Sequence, residues 1–424
     1  MFPLIESACW TIGVAQEQLN QYFGTDEEKW PQVFKDIKKF SKKDYELVMM
    51  AFGGCVSYMK RMLLLDRVLS ARKFVAYDPQ SLSRLHMILD SQALQHLEIC
   101  NVEYSAASPT EGSLFGFLNR TCTPFGERML KRWLCAPLLD PKAINERLDA
   151  IEELQKLGKV VTDFRTGIGK LPDLERMLTR VYSYGVRQAF KPIMFEDISL
   201  IRLREYQIIL NNIRAARNMF VPLTKRRDGF KSKILQDLTN LKNFTSLSQI
   251  DTSDTSIVPD PFKLTSHFEE LIKWEGEKGT YKLATPKPGI DTEYDNIKKD
   301  IESIHKTFEA YLGTIRERFD CKGIKYSNAK YRFELEIPIH LVEGKKKPPE
   351  FIFTSQKKGY QRFHTKEIKQ IISKLEKKET LLKQSLSGFV ASIFEQFRRY
   401  ASVWDRFVSV IAQLDCLAAL SLAS

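Results

Sequence analysis

Apolar residues recur at intervals of three and four along most of this chain, the spacing that gathers them on one face of an α-helix. Two tracts carry the pattern furthest. From residue 291 to about 319, Tyr294, Ile297, Ile301, Ile304, Phe308, Tyr311, Leu312 and Ile315 keep this period and predict one sustained helix of ~40 Å. From residue 365 to the end, Ile368, Ile371, Ile372, Leu375, Leu382, Leu386, Phe389, Ile393, Phe397, Trp404, Phe407 and Ile411 predict a second tract. Unbroken, it would reach ~85 Å, with Gly388 as the place for a bend. Between the two tracts the period drops to two. Lys330, Arg332, Glu334 and Glu336 alternate with Tyr331, Phe333, Leu335 and Ile337, which predicts a half-buried strand with its charged side chains outward. Ile324 and Tyr326 are placed to pair with it across Ser327-Asn328-Ala329. Residues 351–354 and 360–363 predict a second hairpin around Gln356-Lys357-Lys358-Gly359. The fold class is therefore mainly α: helices, two of them long and antiparallel, with a small antiparallel β element between the long pair.

Before residue 291 the helices are shorter, and several have visible starts. Residues 1–75 read as helices with loops. Ser41 is an N-cap ahead of Lys42-Lys43-Asp44-Tyr45-Glu46, and Gly53-Gly54 inside the following run implies close packing against a neighbour. Thr123-Pro124 begins a helix carrying Met129, Leu130, Trp133 and Leu134; Asp140-Pro141 begins another whose apolar face is Ile144, Leu148, Ile151 and Leu154, ending near Gly158. Arg128, Lys131 and Arg132 fall mostly off the apolar stripe of the first of these, which suits either a solvated face or phosphate contact. Residues 240–262, with Thr, Ser, Asp and two prolines, form the clearest linker-like loop.

Composition narrows the class. The 424 residues, 43% of them hydrophobic, suffice for two or three domains. Apolar runs fall short of the ~20 residues that span a bilayer, and Glu6 interrupts the N-terminus before any secretory apolar stretch. Seven scattered cysteines fit reduced thiols better than a disulfide framework or a zinc site. A formal net charge of +12 permits nucleic-acid binding without requiring it. Its distribution says more: residues 322–378 hold fifteen Lys and Arg against six Asp and Glu.

The chemistry of that segment suits backbone contact. Lys345-Lys346-Lys347 sits in a loop bounded by Pro348-Pro349, and Lys357, Lys358, Arg362 and Lys366 surround a hairpin and the start of the next helix, where amides add to the cations. With no base-reading helix nearby, contact would be to phosphates and independent of sequence. The competing reading is a lysine-rich edge that blocks strand-to-strand aggregation. His364 reads as a strand-end surface residue. Scattered acids such as Asp173, Glu175 and Asp197 read as caps and surface charges, and neither H-E-x-x-H nor a supported Ser-His-Asp spacing or carboxylate cluster points to an enzyme.

The order of certain segments carries a resemblance. Thr123-Pro124-Phe125-Gly126-Glu127-Arg128-Met129-Leu130-Lys131-Arg132-Trp133-Leu134-Cys135-Ala136-Pro137-Leu138 follows Leu89-Asp90, Leu97-Glu98-Ile99 and Gly112-Ser113-Leu114. It precedes Ile144-Asn145-Glu146-Arg147-Leu148-Asp149-Ala150-Ile151 and Leu171-Pro172-Asp173-Leu174-Glu175-Arg176. In this collinear set the chain resembles the core of the MutS DNA mismatch repair proteins. Gly229-Phe230-Lys231-Ser232-Lys233-Ile234-Leu235 and Thr285-Pro286-Lys287-Pro288-Gly289-Ile290-Asp291 are similar to the branch of the sixth eukaryotic homologue.

The resemblance implies residues 1–78 as the C-terminal part of a connector domain and 79–290 as helical core and lever. It further implies 291–321 as a lever helix, 322–366 as a β clamp and 367–424 as the returning lever helix, ending before an ATPase domain. The family's ATPase needs a G-x-x-x-x-G-K-[ST] loop to cradle phosphate, and no segment has it; Gly276-Glu277-Lys278-Gly279-Thr280 lacks both spacing and ending. Phe125-Gly126-Glu127 and Phe268-Glu269-Glu270 match the family's mismatch-reading triplet only in the wrong context, and read as core or surface residues. No cofactor is expected in this chain; ATP and Mg belong to the family's ATPase domain. The implied partners are double-stranded DNA and the second MutS homologue as heterodimer partner, in the nucleus, with no membrane. Two functions follow: a DNA-holding segment of a mismatch repair protein that relays to an ATPase, or a non-catalytic DNA- or partner-binding module without repair signalling.

Overall fold

A computed structural model describes residues 7–71, 74–76, 85–102, 108–185, 196–244, 257–275, 283–342, 348 and 350–423. The glycine pair at 276–280, the Lys345-Lys346-Lys347 run and the Asp197 side chain lie outside the described residues. The chain divides into two compact units, residues 1–270 with 391–424, and residues 271–390.

The first unit is helical. Helices α1 (Ile12–Phe23), α2 (Gln32–Ile37), α3 (Lys42–Arg61) and α4 (Leu65–Ser70) bury a cluster of their own around Leu19, Phe34, Met49 and Val56. Ser41 caps α3 as its sequence predicts, its hydroxyl accepting from Asp44 N–H at 3.2 Å. The glycine pair is explained by contact: a Cβ at Gly53 would stand 2.8 Å from the Thr11 carbonyl, and one at Gly54 2.7 Å from the Trp10 ring. Next come α5 (Ser91–His96), α6 (Leu114–Leu118), α7 (Pro124–Cys135), α8 (Pro141–Lys156), α9 (Lys159–Ile168) and α10 (Leu174–Tyr184). After them follow α11 (Glu196–Thr224), α12 (Lys233–Leu238) and α13 (Phe262–Glu270). Thr123 and Asp140 cap α7 and α8, each followed by proline. The apolar face expected on α8 is only partly buried. Ala150 and Leu154 face the interior, whereas Ile144 and Leu148 are 37% and 55% exposed. The segment that reads as a linker is anchored at both ends: β1 (Leu241–Lys242) pairs parallel with β2 (Val258–Pro259), and buried Asp260 takes three hydrogen bonds of 2.7–3.1 Å from Arg217.

The final tract is two helices. Helix α15 (Lys366–Arg399) continues through Gly388 without a break and ends at Tyr400, after which α16 (Ala401–Ala423) begins. Aromatic packing sets the break. Trp404 stacks on Phe397 with ring centroids 4.9 Å apart, and its indole N–H donates at 3.1 Å to the Phe397 carbonyl, which also accepts from Tyr400 N–H at 3.2 Å. Tyr206 and Phe268 pack against the same phenylalanine. Helix α16 is long and apolar enough to cross a membrane by length and composition, which the reading of apolar runs missed. In this fold most of its surface is buried against α7, α8 and α10, as in the core helix of a globular domain.

Asp415, fully buried on α16, ties that helix to the start of α7. Its carboxylate accepts from Cys122 N–H at 2.9 Å, Thr123 N–H at 2.9 Å and the Thr123 hydroxyl at 2.7 Å. Burial pushes its carboxyl above the ordinary range, with these bonds opposing. Gly126 is required there, since a Cβ would sit 2.3 Å from the same carboxylate.

The second unit contains β3 (Ile272–Glu275) paired antiparallel with β4 (Leu283–Pro286), helix α14 (Thr292–Arg318), the N-terminal part of α15, and a four-stranded sheet. Asp291 caps α14, its carboxylate accepting from Tyr294 N–H at 3.0 Å. Lys378 bonds Asp300 at 2.6 Å while Tyr311 bonds Thr365 at 2.8 Å, so α14 and α15 run antiparallel. The sheet comprises β5 (Lys325–Ser327), β6 (Glu334–Pro338), β7 (Ile352–Lys357) and β8 (Tyr360–His364), ordered β5-β6-β8-β7 and antiparallel throughout. It packs on the two helices through Phe308, Leu312, Leu335, Phe363, Ile368 and Leu375.

Candidate nucleic-acid interface

The centre of this sheet differs from the alternation read in the sequence. Strand β6 has neighbours on both edges, and its two glutamates are inside: Glu334 is 0% and Glu336 3% exposed. Register explains how the charge is borne. Glu336 is paired directly with Lys325 on β5 and with Arg362 on β8, making a row across three strands. Arg362 donates to Glu336 from Nε at 2.9 Å and Nη2 at 2.8 Å, and Lys325 Nζ stands 3.9 Å away. Arg362 is thus removed from the predicted phosphate-binding set, because its guanidinium is occupied within the sheet.

Glu334 accepts from Lys330 N–H at 3.2 Å and from the Ser355 hydroxyl at 3.1 Å. Burial works to raise its carboxyl, but hydrogen bonds outweigh it and hold the group below the usual carboxylate range. Upstream of it the strand does not form. Phe333 takes a left-handed φ of 55°, stacks on Phe308 at 4.0 Å and donates its N–H to Asn328 at 2.8 Å. Residues 328–333 are therefore a loop, and Tyr331, expected inside, is exposed with Lys330 Nζ 5.4 Å from its ring. Arg332 binds Glu379 bidentately at 2.7 and 2.8 Å. His364 is buried rather than superficial, its Nε2 2.9 Å from the Arg332 carbonyl.

Lysines remain. Lys357 and Lys358 are exposed at the β7–β8 turn, which Gly359 closes at φ 84°; Lys366 is exposed at the first residue of α15. Among the described residues none of the three makes an ion pair. They do not converge: β8 separates the turn from the helix by ~14 Å of strand. At the helix N-terminus Thr365 accepts from Ile368 N–H at 3.2 Å, which satisfies one of the amides there. The lysines also leave most of the sheet edge uncovered. Along edge strand β7, Ile352 and Phe353 are 42% and 50% exposed, and lysine appears only at its end. Lys330 with Tyr331 is a cation and aromatic pair that sequence reading assigned to the strand; only the left-handed Phe333 exposes it.

In the first unit the basic face of α7 is partly neutralised. Arg128 donates to Asp173 at 2.7 and 2.8 Å and to Glu175 at 2.7 and 3.1 Å, and Asp173 also caps α10. Lys131 and Arg132 stay exposed.

Comparison with known proteins brings these features together. The family description MutS domain III matches residues 92–421. The chain is 30% identical over 406 residues to DNA mismatch repair protein Msh6 of Gallus gallus, covering 89% of this chain and 29% of the relative. It is 31% identical over 421 residues to Msh6 of Homo sapiens, covering 92% and 30%. DNA mismatch repair protein Msh3 of Dictyostelium discoideum is 27% identical over 411 residues, covering 92% and 27%. The chain spans about a third or less of the length of these curated relatives.

Proposed function

The chain belongs to the MutS family, and from that premise we propose that it serves DNA mismatch repair by holding duplex DNA through phosphate contacts from its four-stranded sheet. The observation that carries this reading is the contrast within the sheet. Arg332, Arg362, Glu334 and Glu336 are satisfied internally, whereas Lys357, Lys358 and Lys366 stand exposed with no ion pair among the described residues. Lysines at a turn rather than along the edge strand favour contact with an anion over protection of the edge. Such contact neutralises phosphates without reading bases, so affinity depends steeply on salt and little on sequence.

In this reading ATP and Mg act in a part of the whole protein outside residues 1–424, consistent with the absence of a phosphate-cradling loop motif here. The whole protein works in the nucleus, paired with the second MutS homologue. The test is the salt dependence of duplex binding. Replacing Lys357, Lys358 and Lys366 together with glutamine is expected to reduce the magnitude of the log K against log salt slope by ~2 to 3. An unchanged slope would overturn the assignment.

A further inference from the structure

Two thiols lie in contact in the first unit. Cys100 Sγ and Cys135 Sγ are 3.4 Å apart, on residues 35 positions apart in sequence. Separately anchored backbone brings them together. Cys135 is the last residue of α7, held at its far end by Asp415. Cys100 follows Glu98 and Ile99, whose carbonyls accept from Leu114 and Phe115 N–H at 3.1 and 2.8 Å. A cleft of about 490 Å³ opens beside Cys135, lined by Arg128, Lys131, Arg132, Cys135 and Glu175. Arg128 and Glu175 bind one another there, which leaves Lys131 and Arg132 as its available cations. A small thiol reagent bearing carboxylates fits that charge.

We propose that Cys100 and Cys135 are a dithiol modification site, converted reversibly to an internal disulfide by glutathione disulfide. The Cys135 thiolate attacks one sulfur of the glutathione disulfide, forming a mixed disulfide and releasing one glutathione thiolate. The Cys100 thiolate then attacks the Cys135 sulfur, forming the internal bond and releasing the second. Two electrons pass from the protein sulfurs to the reagent, and the two thiol protons end on the two glutathiones. Excess glutathione reverses both steps. Burial and the neighbouring Cys100 push the Cys135 thiol above its usual range, with Lys131 opposing, so exchange quickens as pH rises. Closing the bond would join the bend after α5 to the end of α7, inside the helical unit.

The experiment treats the purified chain with glutathione disulfide at pH 8, blocks remaining thiols with an alkylating agent, and maps peptides without reduction. The expected result is a peptide pair joined through Cys100 and Cys135 that separates on adding dithiothreitol. In Cys100→Ser, Cys135 is expected to stop at a single glutathione adduct. Recovery of both wild-type cysteines alkylated, or each carrying its own glutathione with no joined peptide, would overturn the proposal. The wild-type map needs no variant to fold.

Discussion

Helix α7 and the four-stranded sheet present similar basic sequences, and the fold pairs one arginine of each, Arg128 and Arg362, with carboxylates, but to different depths. Arg128 on α7 binds two acids while remaining a third exposed, with Asp173 at 19% and Glu175 at 37%. The Arg362 side chain in the sheet is 11% exposed and the side chain of its partner Glu336 only 4%. In both places the planar guanidinium is bound by carboxylates, and the lysines stay in water. The difference follows from chemistry: a fork of donors matches a carboxylate bidentately, whereas an ammonium on a flexible stem is a strongly hydrated point charge. A basic stretch is therefore a poor guide to a binding face until its arginines have been matched to acids.

Burial ranks the consequences. The largest loss is expected from Arg362→Met, which leaves Glu336 inside the sheet with only a distant Lys325; removing one partner of a buried pair costs ~3 to 5 kcal/mol. Denaturant titration checks it, and the double variant Arg362→Met with Glu336→Gln should lose less than the single. Arg128→Ala should cost less, about 1 to 2 kcal/mol, because solvent screens that partly exposed cluster. Equal losses at the two arginines would break the comparison.

Acid supplies the next contrast. The Glu334 carboxyl is held below its ordinary value, so its contribution is present above the unfolded pKa of about 4.3 and is lost as pH falls through the folded value. Glu334→Gln is expected to flatten the acid side of a stability profile measured between about pH 2 and 6. The smallest change in stability, within about 0.5 kcal/mol, is expected for glutamine at Lys357, Lys358 and Lys366 together, since the three contact solvent. That variant should separate DNA affinity from folding.

Much of the architecture was legible because it depends on local rules. The caps at Ser41, Thr123 and Asp140, the helix from 292 to 318, both hairpins of the sheet and the close approach at Gly53-Gly54 follow from short-range chemistry. The errors fell where a distant partner overrides a local pattern. Glu334 and Glu336 alternate as though solvated but meet strands on both sides; His364 finds the Arg332 carbonyl; the helix break avoids Gly388 and occurs where Trp404 folds onto Phe397. Ile144 and Leu148 have the period of a buried face and remain exposed.

Residue order alone determined the family resemblance, the mainly helical class and the concentration of positive charge in residues 322–378. Tertiary structure alone decided which of those charges remain available. Hydrophobic period and capping act over a few residues and are written in the chain, whereas the neutralisation of an arginine depends on which carboxylate the register of another strand places beside it.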